Sequence, residues 1–300
     1  MDELTAVLSG EMAERGAMTF ARFMELALYA PGLGYYERDG GNVGRGGDFY
    51  TSVSVGPLFG ELLAFQFARW LGELPRGSIP CLVEAGAHDG KLAADILGWL
   101  QQKRPELFAR IEYWIIEPSS QRQTWQRETL QKFSAQVHWR NEFEHISTSP
   151  AAQAGELPLL PRREERAGER RAFPSRQFNG VIFSNELLDA FPLHRLGWDA
   201  TARAWFEWGV DWNDGRFVWH RLAHEIGPLA PQLPDELLAV LPDGFTTEVS
   251  PAAEQWWRQA AGALGSGKLL AIDYGLSDAE FFSPPRAQDR KSTRLNSSHG

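Results

Sequence analysis

The N-terminal part of the chain repeats apolar residues at the spacing of amphipathic helices. Apolar positions recur from Leu4 to Met12, and Gly16 then provides a stop signal. Thr19 is typical of an N-cap for a second helix that Pro31-Gly32 would end. The pattern predicts three helices, over about 4–15, 20–28 and 57–71.

After residue 77 the pattern changes to short apolar runs that alternate with helical segments. Five predicted strands share this continuous apolar character: Cys81–Val83, Tyr113–Ile116, Val137–Trp139, Val181–Phe183 and Leu269–Ile272. A helix over 91–102 and another capped by Ser119 or Ser120 separate the first three. Continuous apolar strands that alternate with helices are typical of a parallel sheet covered on both faces. The sequence therefore predicts a doubly wound α/β fold.

Three segments depart from this alternation. Residues 150–177 mix Pro, Gly, Arg and Glu without periodicity, which predicts a mobile surface loop. Residues 205–219 alternate around Asn213-Asp214-Gly215, which predicts an inserted β-hairpin. Ser250-Pro251 predicts the start of a helix.

Composition narrows the possible functions. The net charge of −9 argues against broad nucleic-acid binding, which needs a surplus of cations to neutralise phosphates. The single cysteine, Cys81, excludes an internal disulfide and is expected to be buried packing. No metal-binding spacing such as H-E-x-x-H occurs, so no metal is predicted. The chain has no apolar run of membrane-spanning length and begins with the acidic segment Met1–Leu4, so we expect no membrane contact and a cytoplasmic location.

The turn from Glu84 to Gly90 is the strongest candidate for ligand binding. It follows an apolar strand and opens a helix, where glycines permit close approach and exposed N–H groups favour polar ligand atoms. The dinucleotide fingerprint would need glycine at the positions of His88 and Lys91, whereas this chain has Gly86-x-x-x-Gly90. This spacing suits a nucleoside-like cofactor without a pyrophosphate.

An acidic residue ends the next predicted strand. Glu117 is placed to accept both hydroxyls of a ribose, and Glu84 could accept a hydrogen bond from the ligand or from backbone amides. The alternative is that Glu117 is simply a solvated residue at a strand end. The neighbouring glycines favour the binding role.

Several separate blocks of this chain together resemble one known family, the MidA-type class I methyltransferases, which are related to the mitochondrial complex I assembly methyltransferase. The blocks occur in the family's order from about Met18 to Gly275: Met18–Phe20, Leu28–Tyr36, Gly47–Ser52, Phe59–Glu61, the turn with Lys91–Leu97, Ser184–Pro192 and Asp273–Gly275.

The resemblance implies a Rossmann-like class I methyltransferase sheet, S-adenosylmethionine as cofactor, and an N-terminal segment over the cofactor cleft. It places Glu84, Gly86, His88, Gly90 and Glu117 around the cofactor, with Gly47 and Phe49 added from the N-terminal segment. It also implies methyl transfer to arginine on a protein, possible substrates including a subunit of respiratory complex I. The predicted division is a helical segment over 1–78 and a methyltransferase core over 79–286.

Four polar residues are candidates for the acceptor side. Glu186 or Asp189 would orient the acceptor guanidinium, Asn185 would position acceptor or cofactor, and Asp48 would complete the site. The alternatives are that Asn185 caps a short helix, that Asp189 faces solvent, and that Asp48 bonds its own turn. Tyr274 and Phe49 are candidate walls of the site.

Two features depart from the family pattern. The family usually has glycine at the position of His88, so this side chain either narrows the cofactor pocket or touches the acceptor side. The polar stretch 289–300 has no core pattern, and we predict that 287–300 is a non-native, disordered tail and that the final strands of the sheet are missing.

Two other functions compete with the enzymatic one. A non-catalytic assembly factor would keep the fold, with or without the cofactor, in order to bind a partner. A nicotinamide-dependent dehydrogenase is disfavoured by the glycine spacing. The sequence does not determine the oligomeric state.

Overall fold

The computed structural model describes residues 2–37, 56–143, 178–276 and 281. These residues form two compact units. The first contains residues 2–37, 186–254, 272–276 and 281, and the second contains residues 56–143, 178–185 and 255–271. The predicted loop over 150–177 and the predicted tail over 287–300 lie outside the described residues.

The helices begin and end close to their predicted positions. The α-helices are α1 (Glu3–Arg15), α2 (Phe20–Tyr29), α3 (Leu58–Gly72), α4 (Lys91–Lys103), α5 (Pro105–Phe108), α6 (Ser120–Thr129), α7 (Asp235–Leu238) and α8 (Pro251–Ala263). Capping explains several of these limits. The Thr19 hydroxyl accepts from the backbone N–H of Arg22, and the Ser119 hydroxyl accepts from that of Arg122. Gly16, with φ 82°, follows α1 as its C-cap.

The second unit is built on a five-stranded sheet. Its strands are β2 (Cys81–Ala85), β3 (Glu112–Ile116), β4 (Val137–Arg140), β5 (Phe178–Asn185) and β10 (Leu264–Ile272), in the spatial order β10-β5-β2-β3-β4. β2 pairs parallel with β5 and with β3, and β3 pairs parallel with β4, as the apolar runs predicted. One cluster of buried side chains from α3, α4 and the sheet forms the core, with Phe67, Ile96 and Phe183 fully buried. Cys81 lies in the buried part of β2, where burial raises the pKa of its thiol to about 12.

The first unit contains a second sheet that the sequence analysis predicted only in part. Its strands are β1 (Met18–Thr19), β6 (His194–Asp199), β7 (Ala204–Asn213), β8 (Arg216–Arg221) and β9 (Thr246–Val249). They pair antiparallel in the order β1-β7-β6-β9, with β8 beside β7. The predicted hairpin is therefore β7 and β8, joined through Asp214 and Gly215, both with positive φ. This turn geometry matches the twist of the paired strands.

The pairing of β1 with β7 explains why the two units differ from the predicted segments 1–78 and 79–286. Met18 pairs with Val210, so the N-terminal helices pack with a sheet formed by residues far along the chain. Residues 56–78, in contrast, belong to the unit that contains the parallel sheet. Each unit is therefore made of separate segments of the chain, which two continuous ranges do not describe.

A buried carboxylate stabilises the antiparallel sheet. Glu207 of β7 is 1% exposed, and its two oxygens lie 2.7 Å from His194 Nδ1 and 2.8 Å from His224 Nε2. Burial alone would raise the pKa of Glu207, but its hydrogen bonds and charge interactions with the two histidines lower it overall. A buried acid of this kind is stable because both of its oxygens are paired.

Glycine at position 180 is required by the close approach of β5 to β2. A Cβ on Gly180 would overlap the backbone carbonyl of Cys81. We expect Gly180→Ala to reduce the free energy of unfolding by about 3 kcal/mol or more, because two paired backbones must separate. Chemical denaturation followed by circular dichroism measures this change.

Gly98 provides the matched control. It lies within α4, and a Cβ there would have no neighbour within 4 Å. We expect Gly98→Ala to be neutral or to stabilise the chain by up to about 1 kcal/mol. Equal effects of the two substitutions would contradict the steric explanation.

Candidate functional site

Three loops of the second unit begin at the same edge of its sheet. In the parallel ladders, Ala85 of β2 lies opposite Ile116 of β3 and Ser184 of β5. The turn after β2, Glu117 after β3 and Asn185 at the end of β5 therefore lie at the carboxyl edge. Ligands of open α/β sheets bind at this edge.

The turn between β2 and α4 has a left-handed backbone at three positions. Gly86 has φ 75°, His88 has φ 46° and Gly90 has φ 82°. Gly90 is also confined by packing, since a Cβ there would lie 3.2 Å from the Leu130 side chain. The left-handed region favours glycine, so His88 has an uncommon backbone conformation for a residue with a side chain.

His88 and Asp89 lie on the exposed side of this turn. The imidazole Nδ1 of His88 is 3.8 Å from an oxygen of Asp89, and that same oxygen accepts from the backbone N–H of Lys91. Burial opposes ionisation of Asp89, but the nearby His88 imidazole and the hydrogen bond from the Lys91 N–H lower its pKa overall. The turn therefore carries a stable negative charge beside the N-terminus of α4.

Glu84 is buried at the end of β2. Its side chain accepts a 2.6 Å hydrogen bond from the hydroxyl of Tyr113, a residue of β3. Burial raises the pKa of Glu84 to about 7, although the Tyr113 hydrogen bond lowers it. Tyr113 is thus the observed partner of a carboxyl group that was predicted to bind a ligand or backbone amides.

Glu117 is 1% exposed, which excludes the alternative of a solvated strand end. Its Oε1 accepts from the backbone N–H of Ser119 at 2.9 Å and lies 3.1 Å from Arg122 Nε. Its Oε2 accepts from the side chain of Gln126 at 3.2 Å. Both oxygens of this buried carboxylate therefore have partners, which hold it in one orientation.

The acidic segment after β5 is organised by a residue from the far end of the chain. The side chain of Asp273 accepts from the backbone N–H groups of Leu188 at 2.8 Å and Asp189 at 3.3 Å. These bonds fix a short 3₁₀ turn over Leu188–Ala190. The predicted short helix therefore exists, but Asp273 caps it where the alternative reading assigned this role to Asn185.

The side chains of this segment differ in exposure and charge environment. Asp189 is exposed, as its alternative reading expected, yet desolvation of its carboxyl group and the charge of Asp273 raise its pKa. Glu186 has φ 48°, an uncommon backbone geometry for a residue with a side chain. Tyr274 is 75% exposed, and its role as a wall of the site stays a prediction. The candidates Gly47, Asp48 and Phe49 lie outside the described residues.

Three residues near these sites were missed or given another role by the sequence analysis. Gln126 contacts Glu117, Tyr113 contacts Glu84, and Asp273 holds the turn that carries Asp189. Only Asp273 had a sequence signal, as part of the Asp-Tyr-Gly block. Gln126 lies in a mostly polar segment that gives no sign of its burial. The apolar run that contains Tyr113 predicts a buried ring, but not the hydrogen bond of its hydroxyl to Glu84.

In the described parts of the chain, no group of three or more His, Cys, Asp or Glu side chains is arranged to hold a metal ion. No helix among the described residues has the length and apolar character that crossing a bilayer requires.

Comparisons with known proteins agree with this architecture. The chain is 28% identical to the mitochondrial protein arginine methyltransferase NDUFAF7 homolog of Drosophila melanogaster over 91% of this chain and 60% of that protein. It is 29% identical to NDUFAF7 of Danio rerio over 68% of this chain and 46% of that protein. The chain therefore spans about half the length of these curated relatives.

A solved structure extends the comparison to three dimensions. A Burkholderia thailandensis protein, crystallised with S-adenosyl-homocysteine, superposes with a TM-score of 0.70 at 31% identity. The match covers 95% of this chain and 65% of that one. The family model for S-adenosyl-L-methionine-dependent methyltransferases also matches residues 62–295, which is most of the sequence. The chain therefore belongs to this family of S-adenosyl-L-methionine-dependent methyltransferases.

Proposed function

We propose that the second unit binds S-adenosylmethionine and that the chain transfers its methyl group to arginine on a protein. The observation that carries the proposal is the left-handed turn at Gly86, His88 and Gly90, followed by a helix N-terminus and flanked by the buried carboxylate of Glu117. A related protein of 31% identity was crystallised with S-adenosyl-homocysteine, the product form of this cofactor.

The residues of the turn fit this ligand. Gly86 and Gly90 present no side chain, so backbone can approach the ligand closely, and Glu117 would accept the two ribose hydroxyls. The exposed N–H groups at the start of α4 suit polar atoms of the nucleoside and amino acid parts. No pyrophosphate has to be accommodated, which agrees with the absence of the dinucleotide glycine pattern at His88 and Lys91.

The acidic segment supplies the groups that an arginine acceptor needs. When bound, S-adenosylmethionine provides an electrophilic methyl group on a sulfonium. The carboxylates of Glu186 and Asp189 would orient the guanidinium, and Asn185 would help to position it. Asp48 remains a further candidate. One nitrogen of the guanidinium forms the new bond to carbon, the sulfur keeps the electron pair of the broken bond, and a carboxylate accepts the proton released.

The proposal also concerns the identity of the protein substrate and the cellular location of the chain. The relatives are named protein arginine methyltransferases, which supports a protein substrate. A complex I subunit as the substrate stays a prediction. The cytoplasmic location also stays a prediction, and the curated relatives are named as mitochondrial proteins.

Calorimetric titration with S-adenosylmethionine, followed by transfer of labelled methyl groups to lysate proteins, tests the proposal. We expect saturable binding, inhibition of transfer by S-adenosyl-homocysteine, and methylarginine after hydrolysis of the labelled proteins. If the label is found on another residue type, arginine is refuted as the acceptor, but the cofactor site stands. Binding without any transfer would favour the non-catalytic assembly role, and a folded chain that binds nothing would refute the cofactor site.

A further inference from the structure

Gln126 is a fully buried polar side chain on a helix whose other residues are partly or fully exposed. Its exposed fraction is 0%, and it is the one residue of α6 that is buried. A buried amide is costly unless its polar atoms are paired, so its partners indicate why it is there.

All three contacts of the Gln126 amide are defined. Its Nε2 donates to the backbone carbonyl of His88 at 2.9 Å and to Glu117 Oε2 at 3.2 Å. Its Oε1 accepts from the indole N–H of Trp139 at 2.9 Å. The indole can only donate, so it fixes the amide with its two N–H groups toward His88 and Glu117.

One side chain thus joins the two elements that would hold the cofactor. His88 belongs to the turn after β2, with its backbone in the uncommon left-handed region, and Glu117 follows β3. Ser119 and Arg122 hold the other oxygen of Glu117, so Gln126 alone of these residues connects the carboxylate to the turn.

We propose that Gln126 is a positioning residue for S-adenosylmethionine, which fixes the Glu117 carboxylate relative to the His88 turn without touching the ligand. The inference rests on the proposed function. It predicts that Gln126 controls cofactor affinity rather than the rate of the transfer step. A merely structural glutamine would change only the stability of the fold.

The chemistry of the site explains why glutamine is needed. Glutamate has the same shape, but it would place a second carboxylate against Glu117 and carry no donor when ionised. Methionine has a similar length, but it would leave the His88 carbonyl and the Trp139 N–H unpaired. The charged or titratable side chains of the residues in these contacts are the Glu117 carboxylate, the Arg122 guanidinium paired with it, the Arg127 guanidinium over the Trp139 ring, and the His88 imidazole, which lies near Asp89.

The test compares Gln126→Glu and Gln126→Met with the wild type by calorimetry, thermal melting and steady-state methyl transfer. We expect Kd and KM for S-adenosylmethionine to rise roughly 10- to 100-fold while kcat stays within about threefold, since hydrogen bonds to a charged group are lost. For Gln126→Glu we further expect affinity to recover as the pH falls, because a protonated carboxyl group can donate to Glu117. Gln126→Met should not recover.

Trp139→Phe is the matched control: it removes the third hydrogen bond, but the His88 carbonyl and the Glu117 carboxylate are both acceptors and still require the amide N–H groups toward them. It should lower the melting temperature with little change in Kd. If wild type binds but Gln126→Glu shows neither a higher Kd nor pH-dependent recovery, the positioning role is overturned while the cofactor site stands. A folded wild type that does not bind overturns both.

Discussion

Glu117→Ala is expected to abolish measurable binding of S-adenosylmethionine. The proposed role of Glu117 is to accept two ribose hydroxyls, and each hydrogen bond to a charged group contributes about 1.5–3 kcal/mol. Loss of both predicts a decrease in affinity of roughly 100-fold or more. Calorimetric titration of the purified variant measures this directly.

The structure dictates how this experiment must be controlled. Removing the carboxylate also removes its contacts with Arg122, Gln126 and the Ser119 N–H, so the variant will melt at a lower temperature. Glu117→Gln keeps the shape and one acceptor oxygen, and we expect it to fold better while still losing about tenfold in affinity. Glu112→Ala, at the opposite end of β3, should bind like wild type. Normal binding by a folded Glu117→Ala would exclude the proposed ribose contact.

The parallel sheet and the glycine turn after β2 could be predicted because their signals are local. Continuous apolar runs mark β2 and β3, glycines mark the turn, and Glu117 stands at the end of a strand. Each of these features depends on residues within a few positions of one another. Spacing alone also separated a nucleoside-like ligand from a dinucleotide.

The second sheet could not be predicted because its pairing is non-local. Met18 pairs with Val210, and β6 pairs with β9 about fifty residues later. Only the β7–β8 hairpin has a local turn signal, and it was the part predicted. Short strands such as β1 and β9 have no periodicity long enough to stand out.

The site residues show the same limit. Gln126 lies on a helix of mostly polar residues, so its burial depends on Trp139 and on the turn at His88, neither of which is near it in sequence. The cap that Asp273 provides for the turn of Asp189 likewise joins positions 84 residues apart. Side-chain hydrogen bonds between residues so far apart in sequence form only once the chain has folded, so local patterns do not predict them.

For the proposed acceptor residues, the sequence could not distinguish a catalytic Asp189 from a solvent-facing one. Exposure alone favours the solvent-facing reading. Asp273 accepts a hydrogen bond from the same turn, and its charge contributes to the raised pKa of Asp189. This favours a functional role for Asp189, because carboxyl groups with perturbed pKa values are enriched at active sites.

Asp189→Asn is expected to reduce methyl transfer by roughly 100-fold and to leave the Kd for S-adenosylmethionine within about threefold. A carboxylate that orients the guanidinium and accepts its proton acts on the transfer step, and such groups contribute about 10²–10⁴-fold. Single-turnover transfer and calorimetry separate the two quantities. Asp214→Asn, in the β7–β8 turn where asparagine is well accommodated, should match wild type in both.

The pH profile gives this prediction a readout that a structural role would not produce. Desolvation and then the charge of Asp273 raise the pKa of Asp189, so transfer by the wild type should increase with pH through a midpoint above that of an ordinary aspartate. Asp273→Asn keeps an oxygen to accept from Leu188 and removes the negative charge. The pKa of Asp189 should then fall, and the acid limb of the profile should move to lower pH. If the acid limb is unchanged in Asp273→Asn and transfer is intact in Asp189→Asn, the acceptor role belongs to Glu186. Single-turnover transfer and calorimetry of Glu186→Gln then test that assignment.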